Sequence, residues 1–139
     1  MQIKRTMALD VGDKRIGMAI TDALGVTVQG RPTLHRRTLS GDIAQISQVI
    51  ADEAVVEVVV GHPLHMDGAS SPQSEKVERF AESLREAISV HVVLWDERLT
   101  SFTAEQHLEE LGLDWRARRK HVDEVAAIFI LEDYMGGKS

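Results

Sequence analysis

Thr6-Met7-Ala8-Leu9-Asp10-Val11-Gly12-Asp13-Lys14-Arg15-Ile16-Gly17-Met18-Ala19-Ile20-Thr21 decides the fold. Two apolar runs, at residues 6–11 and 15–21, flank a Gly-Asp-Lys turn, and the first run carries a single carboxylate near its end. Runs of this length bounded by turn residues read as strands. A second turn, Asp22-Ala23-Leu24-Gly25, leads to a third strand expected at residues 26–29. Connections this short force antiparallel pairing, because a parallel crossover needs about a dozen residues or more.

Downstream the pattern changes. Ile43, Ile46 and Ile50 fall on one face of a helix whose start is marked by Ser40 and Asp42. Residues 55–60 are almost wholly apolar, as in a strand covered on both faces. After a loop at residues 61–68, Ser71 as cap and Pro72 as first residue open a helix with the stripe Val77, Phe80, Ala81, Leu84, Ile88. Residues 90–95 form another buried strand, residues 102–111 a helix stopped by Gly112, and a last helix carries Val122, Val125, Ala126, Phe129 and Ile130. The order βββαβαβαα describes an α/β fold: a mixed five-stranded sheet, three antiparallel strands then two parallel ones, with helices on both faces. Ligands in such sheets bind at the carboxyl ends of the parallel strands.

The 139 residues suit one domain, 1–139, with no repeat or linker to divide it. Hydrophobic residues make up 43% and charged residues 27%, the balance of a globular protein. No apolar run nears the roughly 20 residues of a membrane span. The start, Met1-Gln2-Ile3-Lys4-Arg5, has no signal-peptide pattern, so the cytoplasm is the expected compartment. With no cysteine, any metal must be held by carboxylates or histidines. The net charge of −6 opposes nucleic acid as a partner overall. Local potential can reverse that, and basic residues cluster at Lys4-Arg5, Lys14-Arg15, Arg36-Arg37 and Arg116-Ala117-Arg118-Arg119-Lys120. The last cluster reads equally as a phosphate-binding patch and as solvated surface.

Three acids stand out by placement. Asp10 ends an apolar strand, where a carboxylate is costly to bury without a compensating charge. Glu97 follows the strand ending at Trp95, although Asp96 beside it has the same claim on pattern alone. Asp123 borders the apolar stripe of the last helix. Three converging oxygen donors suit a hard cation such as Mg2+ or Mn2+, which can polarise a phosphoryl oxygen and activate water. Each acid taken alone is equally explained as a strand-end cap, a turn residue or a salt-bridge partner. Gly12 could leave room for metal or phosphate beside Asp10, or simply serve the turn. Gly61 and Pro63 follow a strand end where backbone N–H groups meet phosphate. Ser70 and Ser71 sit at a helix start, where anion binding competes with ordinary capping. His62 and His65 have i, i+3 spacing, but in a proline-containing loop they are poor ligand candidates.

Four segments together resemble a known family. Ala8-Leu9-Asp10-Val11-Gly12-Asp13-Lys14-Arg15-Ile16-Gly17-Met18-Ala19, Val59-Val60-Gly61-His62-Pro63-Leu64-His65-Met66-Asp67-Gly68, Asp96-Glu97-Arg98-Leu99-Thr100-Ser101 and Lys120-His121-Val122-Asp123-Glu124-Val125-Ala126-Ala127 resemble, in order, the motifs of the bacterial pre-16S rRNA nuclease family, also described as Holliday-junction-resolvase-like. The departures are small: Ala8 stands where the family often has glycine, and His62 and His65 occupy variable positions of the second motif. The resemblance implies an RNase H-like fold and a divalent-metal nuclease that matures the 5′ end of 16S rRNA precursor. It carries the metal-binding catalytic triad onto Asp10, Glu97 and Asp123, choosing Glu97 over Asp96. The substrate-binding set under this reading is Gly12, Arg15, Gly61, Arg98, Ser101, Arg116, Arg118, Arg119 and Lys120. Nucleic acid is the expected partner, with pre-rRNA and branched DNA both open.

Three competitors follow from the same residues. A junction resolvase needs a two-fold dimer to cut symmetrically, and no dimer face is legible. Actin-like phosphate binders share the opening Asp-x-Gly hairpin, yet need two such lobes where this length supplies one. A catalytically silent nucleic-acid-binding module leaves three placed carboxylates without a purpose.

Overall fold

The computed structural model describes residues 4–64, 67–96 and 115–137, with side chains of the last helix described from residue 124 to 136. The helix expected at residues 102–111 lies outside the described residues. The elements run β1 (Arg5–Val11), β2 (Arg15–Thr21), β3 (Val28–His35), α1 (Leu39–Asp52), β4 (Val55–His62), α2 (Pro72–Ala87), β5 (His91–Asp96) and α3 (Trp115–Gly137). They build one five-stranded sheet of order β3-β2-β1-β4-β5. β1 and β2 pair antiparallel, as do β2 and β3, whereas β4 runs parallel to both β1 and β5. The mixed sheet read from the sequence is thus the sheet observed.

Side-chain alternation along β1 divides the core. Met7, Leu9 and Val11 join Ile16, Met18 and Ile20 of β2 in one cluster, closed by Ile43, Ile46 and Ile50 of α1 and Val77, Phe80 and Leu84 of α2. Ala8 points the other way, with Ala19 and Val59, into a smaller cluster capped by Ala127, Ile130, Leu131 and Tyr134 of α3. The residues beneath α3 are small because the helix lies close. A Cβ added to Gly30 of β3 would collide with the side chain of Glu124 on α3. The buried face of α3 overlaps the stripe read by periodicity, with Ala126 and Ile130 buried as expected, but is rotated from it. Ala127, Leu131 and Tyr134 are buried, while Val125 and Phe129 are only half-buried.

Other boundaries move for local reasons. β3 starts at Val28 instead of residue 26, because Asp22 Oδ1 accepts from the N–H groups of Val26 (2.7 Å) and Thr27 (3.4 Å) and prolongs the turn. Those bonds, that of Val26 foremost, hold the exposed Asp22 carboxyl below its ordinary pKa. β3 also runs on through Pro32 to His35, which an edge strand permits since its outer N–H groups have no ladder partner. Its register with β2 shifts between Ile16 and Met18, so an extra residue of β3 is accommodated beside Gly17. Gly61 and His62 belong to β4 and not to the loop that follows. α1 is capped by Thr38, whose side chain accepts from the Gly41 N–H (3.1 Å), leaving Asp42 for another task. α2 opens at Ser71 and Pro72 as expected, with Ser74 completing a capping box, and ends at Ala87 with Ile88 as its cap.

Asp42 is 1% exposed and pairs with Arg36 Nε at 3.1 Å. The same guanidinium donates to the Gly12 carbonyl at 2.9 Å and lies 5.3 Å from the centre of the Phe80 ring. Arg36 therefore joins the first hairpin turn, α1 and α2, a structural role hidden within what reads in sequence as a surface basic pair. Replacing Arg36 by Met should cost about 3 kcal/mol, because Asp42 is left buried without its cation. A urea melt checks this, and Asp42→Asn in the same chain should recover part of the loss.

Ala54, between α1 and β4, is the one described non-glycine residue with positive φ, 54°. A Cβ costs about 1–2 kcal/mol in the left-handed region. Ala54→Gly should therefore raise stability by about 0.5–1 kcal/mol in thermal unfolding, the entropy of glycine offsetting part of the gain.

Candidate active site at the carboxyl end of the sheet

Asp10 is half-buried at the penultimate position of the central strand, on the face covered by α3. Its partner on β2 is Gly17. On the other side, Leu9 is in register with Val60 and Gly61 with Trp95, so the next rung reads Gly17, Asp10, Gly61, Trp95 across four strands. Directly paired residues share a face, so this row lies on the α3 side throughout. The carboxylate is flanked on both neighbouring strands by residues with no side chain. The two neighbouring strands therefore place no side chain directly beside the Asp10 carboxylate.

Trp95 forms the far wall. Its ring meets Tyr134 of α3 edge-on, centroids 5.1 Å apart at 87°, and its Nε1 donates to Asp133 Oδ2 at 2.7 Å. Tyr134 in turn donates to Glu57 Oε1 at 2.9 Å, tying the end of α3 to β4. Val92 belongs to the opposite core cluster and Leu94 packs against it, so alternation carries Asp96 to that opposite face, in register with His62. Asp96 and Asp10 are thus on different sides of the sheet. Glu97 itself lies outside the described residues, as do Arg98 and Ser101.

Asp123 is within α3, and its side chain is outside the described set together with those of Arg116, Arg118, Arg119 and Lys120. Its register can be read from the backbone. Position 123 precedes Ala127 by one turn and Ile130 by two, both buried against the sheet. The rotation of α3 therefore moves position 123 from the border of the apolar stripe to its axis. Among the described residues no group of three acids, histidines or cysteines converges to hold a metal. The donor chemistry nonetheless fits a hard cation: Asp10 offers carboxylate oxygen between glycines of the two neighbouring strands, and the two remaining expected donors are also carboxylates.

The other sequence candidates divide clearly. Gly12 donates its N–H to the Arg15 carbonyl at 2.8 Å, and a Cβ there would come within 2.9 Å of that oxygen, so the hairpin alone requires glycine. Arg15 pairs with His35 of β3 and shares the parity of Gly17 and Ala19, which puts both on the face of Asp10. His62 faces α2, with Nε2 3.3 Å from Glu78 Oε2, close enough to attract though misaligned for a hydrogen bond. It is on the wrong side of the sheet to join Asp10. Ser71 caps α2 and donates to the Pro63 carbonyl at 3.0 Å, which accounts for its hydroxyl. The glycine row went unread in the sequence because it becomes a row only once the strand register is known. His35 had no sequence signal at all.

The RuvX family model, described as "RuvX: Holliday junction resolvase", matches residues 4–137. A protein of Myxococcus xanthus named "Putative pre-16S rRNA nuclease" is 43% identical over 131 residues, covering 94% of this chain and 87% of its own. One of Thermoanaerobacter pseudethanolicus with the same name is 46% identical over 132 residues, 94% of this chain and 95% of its own. Among solved structures, T. thermophilus RuvC in complex with a Holliday junction substrate superposes with a TM-score of 0.59 at 14% identity, covering 96% of each chain. The fowlpox virus resolvase in its junction DNA complex gives 0.56 at 14% identity, covering 96% and 98%. At that identity the likeness speaks for the fold, an RNase H-like sheet of the RuvC kind. With the family model spanning nearly every residue of a sheet that has this same strand order, the chain belongs to the RuvX family of nucleases.

Proposed function

We propose that this chain is a divalent-metal-dependent nuclease acting in 5′-end maturation of pre-16S rRNA, with Asp10, Glu97 and Asp123 as its metal ligands. The observation that carries the reading is the row Gly17, Asp10, Gly61: a carboxylate at the carboxyl end of the central strand, cleared of side chains on both neighbouring strands. The names of the relatives supply the substrate class. The chemistry that Mg2+ or Mn2+ supplies when bound is Lewis-acid polarisation of a phosphoryl oxygen and activation of water near neutral pH. The chain's own part is to hold the ligands and guide the strand. Asp10 is held by its ladder neighbours and the backbone of position 123 comes over the sheet on α3, with Glu97 proposed as the third donor. Arg15, Arg98, Ser101 and the basic turns of α3 are the groups proposed to hold phosphates, with Gly61 leaving space for the backbone to pass. Gly12 serves here only through the hairpin that carries Arg15. No helix of the described residues is long and apolar enough to cross a membrane, in keeping with a nucleic-acid substrate.

Junction DNA is the second reading, favoured by the family's description. Both substrates should be offered to the purified protein with Mn2+. Cleavage of precursor rRNA with a four-way junction left intact supports the proposal, and the reverse outcome replaces it.

Asp10→Asn should lose metal-dependent cleavage by orders of magnitude while its melting temperature stays level or rises, since a half-buried charge at the end of an apolar strand is removed. Wild-type cleavage by this variant would refute the ligand assignment. Asp96 lies on the face of the sheet opposite Asp10. Glu97→Gln should be inactive in single-turnover cleavage at saturating Mn2+, whereas Asp96→Asn, on the other face, should keep its rate within a few-fold. The opposite ranking would make Asp96 the ligand.

A further inference from the structure

Charge is distributed unevenly along the Asp10 row. At its β5 end stand Trp95 and the Asp133 carboxylate that accepts from it. At its β2–β3 end, one pair nearer the hairpin turn, Arg15 and His35 face the same side of the sheet as Asp10. The parity of His35 follows from Leu34, which is buried in the opposite cluster. His35 is exposed and ends the edge strand, so nothing further in the sheet lies beyond it. α3 crosses the sheet from β3, where Glu124 lies against Gly30, towards β4 and β5, where Tyr134 reaches Glu57 and Trp95. The turns carrying Arg116, Arg118, Arg119 and Lys120 precede Glu124 and so belong to the β3 end of the helix. Glu124 is the opposing charge here, but it sits beside Ala19, four residues along β2 from Arg15.

We propose that Arg15 and His35 form a phosphate-binding edge, and that the nucleic-acid strand leaves the site across β2 and β3 instead of past Trp95. The inference rests on the nuclease reading above and adds to it a direction and a residue. The guanidinium offers a fork of N–H donors and the imidazole an N–H donor, both suited to phosphate oxygens. Gly17, between Asp10 and this pair, adds no side chain of its own to the path. A polyanion bound in this sense meets its cations on one side and avoids Asp133 on the other.

The test is binding of a labelled single-stranded RNA by the full chain carrying Asp10→Asn, so that the probe survives. Added His35→Glu should raise Kd about tenfold and His35→Ala about threefold, whereas Arg79→Glu on the exposed face of α2 should stay within about twofold. Arg79→Glu changes net charge by two units and His35→Glu by one, so the order of effects separates a local contact from overall repulsion. Equal weakening by the two glutamates, or unchanged binding in both His35 variants, overturns the proposal. If the protein without any substitution neither binds nor cleaves RNA, the nuclease reading falls and takes this inference with it. If Asp10→Asn alone abolishes cleavage while the His35 variants bind normally, only the edge is wrong.

Discussion

The close seat of α3 on the sheet is the constraint from which the site follows. Gly30, Ala19 and Ala8 form its floor, and Ile130, Leu131 and Tyr134 lock it in place. A larger residue at any of the three would lift the helix, at a cost of about 1–3 kcal/mol each. It would also shift position 123 relative to Asp10. The small residues of the floor and the seating of the helix are therefore one problem, and that seating also fixes where the backbone turn carrying position 123 lies.

Much of this was legible beforehand. The mixed sheet, its antiparallel start and parallel continuation, the cap of α2 and the half-buried Asp10 all follow from run lengths, turn residues and alternation, whereas the spatial order of the strands does not. What escaped reading was relational. The phase of α3 depends on what it packs against, and a periodicity count over Val122, Val125 and Phe129 cannot see Ala8, Ala19 or Gly30. The glycines on either side of Asp10 are 44 positions apart in the chain and become neighbours of one carboxylate only through β1. The face of Asp96 became legible for the same reason. Alternation was available from the start, but the face of Trp95 was settled by its contact with Tyr134.

Charge at the surface has to be read residue by residue. Arg36 and Arg37 look alike in sequence, yet the Arg36 side chain is committed to Asp42, the Gly12 carbonyl and Phe80, and at Arg37 it is the backbone N–H that Asp42 engages. Arg15, in an equally ordinary pair, stands on the same face of the sheet as Asp10. A protein of net charge −6 can hold a polyanion only if its cations are sorted in this way, some into the scaffold and some along one edge.

The central position of β1 has a consequence for how the chain is born. Its antiparallel partner β2 follows at once, but its parallel partner β4 begins at Val55, about 50 residues after β1 starts. At about 5–20 residues per second, a ribosome presents the three-stranded meander for several seconds before β4 can close the open side of β1. During that interval Met7, Leu9 and Val11 also lack α2, and the Asp10 strand is itself an edge. Vectorial synthesis thus exposes the future catalytic strand last to be covered, a window in which the early-made turn at residues 12–14 and its later clamp by Arg36 guard the register.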